Sequence, residues 1–134
     1  WDRHEAGKAV GDCDDISIFA ADRIEDMRSR GLLRGVTEVG LLSCPWMDWD
    51  DKVGGHNVCV FRYILETGER HTKMRWGHVS NWYGGEVREG YKTLEDVVRF
   101  VVKAGGGKEA RSIGWGYASV GLRLREYGSG KGLV

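Results

Sequence analysis

With one proline, three cysteines and no net charge, this chain lacks the features of several protein classes. Pro45 is the only proline, and no Pro- or Ser-rich run divides the chain, so 1–134 reads as a single domain. That length supports one hydrophobic core without metals or disulfides. Cys13, Cys44 and Cys59 are widely spaced, which excludes a C-x-x-C zinc ribbon or redox pair. Their odd number opposes a secreted disulfide framework and points to a reduced-thiol setting. Twenty acidic side chains balance twenty basic ones, leaving no electrostatic reason to expect nucleic acid or an anionic membrane as partner. No apolar run is long enough to span a bilayer, and no signal-peptide pattern opens the chain. The first residue is Trp1, and residues upstream of it are expected to be able to complete a site.

Glycine and tryptophan, in contrast, are abundant. The 21 glycines follow no collagen-like period and read as turns and close backbone approaches. From Cys13 onward, Ile16, Ala20, Ile24 and Met27, with Phe19 beside them, mark one face of a helix. Asp12 is its expected N-cap, Asp15 its capping-box acid and Gly31 its stop. "GVTEVGLLSCPW" reads as a strand ended by Pro45, and "HNVCVFRYIL" as a second. "ETGER" is then a tight hairpin turn centred on Thr67 and Gly68, with "HTKMRWGHVSNW" the return strand. "YGGEVREGY" reads as a glycine-rich turn. After it, Thr93 caps a helix whose buried face holds Leu94, Val97, Val98 and Val101, stopped by a glycine run. A last strand follows Ile113, and the end from about 126 to 134 is expected to be loose.

A cysteine between aspartates at a helix start is unusual for a structural residue. The N–H groups and partial positive charge of a helix N-terminus favour a thiolate. Asp12, Asp14 and Asp15 act against it, so a nucleophilic Cys13 needs a general base. His4 falls in the lead-in, 1–10, His71 beside the hairpin tip and His78 within the return strand. His56 opens a strand after two glycines, where a ring can project toward a cleft. If Glu66 pairs with Glu69, His56 faces Val79, and Asn81 lies two residues on along the same face. Asn81 would then orient the imidazole, giving nucleophile Cys13, base His56 and orienter Asn81, with Asp48 and Asp50 as competitors for the third place. The plainer readings are a half-buried Cys13, a satisfied edge histidine at 56 and a turn residue at 81. Cys44 and Cys59 read as core residues. Ligand spacing supports no metal site, and the thiol chemistry needs no cofactor.

"GDCDD" opening a helix, then "HNVCVFRY" and "HVSNW" on paired strands, resembles the transglutaminase-like cysteine peptidase superfamily, in particular its small bacterial and phage-encoded members. The resemblance runs over about residues 11–104. It implies an α+β, papain-like core with a nucleophile helix packed on an antiparallel sheet. It also implies acyl transfer through a thioester, with a peptide or other amide as substrate. "SN" stands where such proteins more often carry Asp. The superfamily also contains proteins that keep the fold without the chemistry, so a binding or assembly module, for instance within a phage particle, is the alternative.

Overall fold

The computed structural model describes residues 4–5, 8–9, 13–68, 70–82, 85–120 and 127–130, with side chains described between Asp15 and Val120. Asp12 and the end beyond 130 lie outside the described residues. Two-residue strands β1 (His4–Glu5) and β2 (Lys8–Ala9) pair antiparallel, so the lead-in carries structure that its sequence does not announce. Then come α1 (Cys13–Ser29), β3 (Val36–Met47), β4 (Val53–Thr67), β5 (Thr72–Ser80), β6 (Glu86–Tyr91), α2 (Leu94–Gly106), β7 (Arg111–Ser112), β8 (Trp115–Ser119) and β9 (Tyr127–Gly130). The fold is α+β. Among the described residues one sheet runs β6-β5-β4-β3-β8-β9, with β7 also on β3 and every pairing antiparallel.

Strand alternation sends successive side chains to opposite faces, and each face has its own helix. Leu42, Cys44, Trp46, Val58, Val60 and Trp76 pack with Val97, Val98, Val101 and Val102 of α2. Val39 and Cys59 pack with Ala21 of α1, flanked by Ala20, Ile24, Leu41 and Phe61. The sheet is therefore the middle layer.

The α1 face differs from its expected centre. Among its described side chains Ser17 and Ala21 are buried, Ile16, Ala20 and Ile24 flank them, and Phe19 is 54% exposed. Small residues at the centre let the helix axis lie close to the strands. Its end is as expected: Gly31, at φ 75°, donates to the Arg28 carbonyl and Leu32 to that of Met27, a Schellman closure. Thr93 caps α2, with its Oγ1 accepting from the Asp96 N–H at 3.1 Å. Replacing Thr93 by alanine should cost about 1 kcal/mol in urea unfolding, and an unchanged midpoint would remove the cap's assigned role.

Three expectations about strands are corrected. Pro45 does not end β3; it sits two residues inside, opposite Gly55. Its carbonyl accepts from the Ile113 N–H at 3.3 Å, so its missing N–H faces the break between β7 and β8, where no ladder bond is lost. "EVREGY" is strand β6 rather than part of a turn. The β4–β5 turn is also wider than a two-residue hairpin. Glu66 pairs with Lys73 and Thr67 with Thr72, and the Gly68 N–H donates to the His71 carbonyl at 2.7 Å.

Candidate functional site

The wider turn resets everything downstream. Cys59 pairs with Val79 and Val60 with His78, a ladder that, continued, brings Trp82 rather than Val79 opposite His56. The slip is an odd number of residues, so it exchanges the faces of the return strand. Ser80 and Trp82 turn to His56; Asn81, between them, does not.

The imidazole of His56 is held on two sides. Its Nε2 lies 2.8 Å from Ser80 Oγ, and its ring stacks on the Trp82 indole at 3.9 Å between centroids, with the planes 6° apart. Ser80 Oγ also accepts from the Trp82 backbone N–H at 3.2 Å, so the hydroxyl is itself fixed. Ser80 is 1% exposed and His56 7%. The hydrogen bond to the ring expected from Asn81 is thus made by its neighbour Ser80. Asn81 Oδ1 is buried and has no hydrogen-bond partner among the described residues. Asp48 is occupied elsewhere: its Oδ1 accepts from the backbone N–H groups of Asp50 and Lys52, closing the β3–β4 turn. Asp50 is exposed beside Lys52. Neither acid orients His56. The sequence does not single out Ser80, because its place against His56 depends on the length of the β4–β5 turn; the spacing Ser80-x-Trp82, both on one strand face, is the signal it does carry.

Cys13 opens α1, as expected, but its side chain lies outside the described residues. His56 shares its face with Val58 and Val60, the α2 face, whereas Asn57 and Cys59 lie toward α1. A second thiol is in register with His56: Cys44 is its cross-strand partner. It is fully buried, and burial pushes its thiol up to about 12, as it does that of Cys59. Both are therefore inert as nucleophiles near neutral pH.

His78 belongs to a separate buried cluster. Its Nε2 lies 3.2 Å from Glu86 Oε1, and Glu86 Oε2 accepts from Arg88 Nε at 3.1 Å. The rings of Tyr91 and Phe100 enclose it, and Arg88 lies over Phe100. Its Nδ1 is buried without a partner among the described residues. Desolvation lowers the His78 pKa; the Glu86 hydrogen bond and charge oppose this, and the Arg88 charge adds to it. Burial likewise pushes Tyr91 up to about 12. The folded state thus binds its proton at lower pH than the unfolded chain, whose histidines titrate near about 6.5. Below that pH the unfolded state takes up more protons, so stability should fall with pH until the lowered folded value is passed. Urea midpoints at pH 7.5 and 5 test this: the drop should be smaller in His78→Gln, and an equal drop would exonerate His78.

Among the described residues no group of three or more His, Cys, Asp or Glu side chains is arranged to hold a metal. No described helix is long and apolar enough to cross a membrane. No family model matches the chain, and no curated protein or solved structure matches it either.

Proposed function

We propose that the chain is a thiol-dependent amide hydrolase of transglutaminase-like, papain-like type, with Cys13 as nucleophile, His56 as base and Ser80 in the orienting place assigned from sequence to Asn81. The observation that carries this reading is the imidazole of His56, fixed by Ser80 Oγ at 2.8 Å and stacked on Trp82. A ring that takes a thiol proton through Nδ1 must carry its own hydrogen on Nε2. Ser80 Oγ then accepts two bonds, from Nε2–H and from the Trp82 N–H, which is within a hydroxyl's capacity. In that scheme Cys13 Sγ attacks the amide carbonyl carbon, the Cys13 backbone N–H at the helix start donates to the oxyanion, and the imidazolium returns its proton to the leaving amine. Water then hydrolyses the thioester, with His56 as base again. No cofactor enters any step.

A non-catalytic binding or assembly module is the second reading, and one observation favours it. The helix that Cys13 opens packs on the sheet face opposite that of His56. A brief exposure to iodoacetamide at pH 7, followed by peptide mapping, separates the two. The hydrolase reading expects Cys13 to be modified well before Cys44 or Cys59, faster than free cysteine. A Cys13 that reacts no faster than free cysteine would leave the binding module as the function.

A further inference from the structure

A groove with a volume of about 600 Å³ lies between α1 and the β3–β8 half of the sheet, away from the ring of His56. Its floor is apolar, made by Leu41, Ala21, Ala118 and Val120, and the size suits one or two side chains of a peptide. Among the described residues its charged lining is of one sign: Asp22 and Glu25, one helical turn apart on α1. Glu25 Oε1 is taken by Arg28 at 2.8 Å, but Oε2 is buried and has no hydrogen-bond partner among the described residues. A buried carboxylate oxygen without a donor is costly, and a donor brought by a ligand would relieve it. Ser17, Ser43 and Asn57 also line the groove. Ser17 stands one turn after Cys13 on the same helical stripe, so the groove follows α1 away from the helix start.

We infer that this groove binds a peptide segment carrying an arginine between aliphatic residues. The aliphatic groups lie on Leu41 and Ala118, and the guanidinium reaches Asp22 and Glu25. An arginine fits because its fork can serve two carboxylates at once while its stem covers apolar surface. The inference extends the proposed function by naming its substrate class, and rests on that reading only for what happens to the peptide after binding.

The test uses the full chain carrying Cys13→Ser, so that binding is measured apart from turnover. The probe is a fluorescein-labelled hexapeptide with one arginine between two leucines, and its control has citrulline in place of the arginine. Fluorescence anisotropy should show the arginine peptide binding at least about tenfold more tightly than the control. Asp22→Asn, at an exposed position that does not threaten folding, should remove most of that preference, as should Glu25→Gln. Ala118→Phe, which fills the groove, should abolish binding of both peptides. Equal binding of the two peptides, no binding of either, or indifference to both Asp22→Asn and Glu25→Gln would overturn the inference. Binding as expected by a protein whose Cys13 is unreactive would keep the groove and remove the hydrolase.

Discussion

Replacing His56 by alanine should slow alkylation of Cys13 at pH 7 by about tenfold or more, without unfolding the protein. An ordinary thiol with a pKa of about 8.5 is only a few per cent thiolate at that pH, whereas one paired with an imidazole is largely ionised. The rate against pH is the sharper readout. In the parent, reactivity should hold its value well below pH 8; in His56→Ala it should climb through the range of an unassisted cysteine. Ser80→Ala should fall between the two, because the ring keeps its stacking on Trp82 but loses the bond that fixes its Nε2. Asn81→Ala should leave the profile alone. A profile moved by Asn81→Ala and not by Ser80→Ala would mean that the ring is oriented from the other face. A profile indifferent to His56 would remove the base altogether.

Trp46→Ala should be the most damaging core substitution. Trp46 is 9% exposed and lies where β3, β4 and α2 meet, in a cradle of three glycines. A Cβ on Gly54, Gly105 or Gly106 would come within 2.6, 2.4 or 2.5 Å of the indole, closer than packed atoms tolerate. Because the cradle is shaped to the ring, little beside it can move in to fill the space. The expected loss is about 3–5 kcal/mol, the upper range for large-to-small changes at sites that cannot collapse. Gly105→Ala approaches the same contact from the other side and should cost about 1–3 kcal/mol through overpacking. Urea unfolding with an unchanged slope is the measurement; a loss below about 1 kcal/mol for Trp46→Ala would show that the cradle closes.

The contrast between α2 and the β4–β5 hairpin explains what was legible in the sequence. Thr93, the valines at 97, 98 and 101, and the glycines after them act within a few residues of one another, so local spacing carries the whole helix. Gly31 ends α1 for the same reason. Strand register depends on the size of one turn, and "TGER" does not state whether Glu66 meets Glu69 or Lys73. That single ambiguity decides that Ser80, rather than Asn81, lies against the His56 ring. β6 was hidden because its glycine and three charges resemble a turn, yet an edge strand carries Arg88, Glu89 and Gly90 in solvent without penalty and turns Glu86 inward to His78. His56 and the helix start at Cys13 were readable as candidates, since residue type and position mark them. Their placement in different layers was not, because it follows from which face each helix covers.

The order of strands also has a kinetic meaning. β3, β4, β5 and β6 are neighbours both in the chain and in the sheet, so they can zip together across short turns. β8 reaches β3 only after the chain has passed through α2, and that closure is expected late in folding. Gly116, Ala118 and Val120, which line the groove, belong to this late-docking part of the chain. An assembling molecule would therefore hold a formed meander before it had anything to grip a peptide with, and the first moment of peptide capture would time the end of folding.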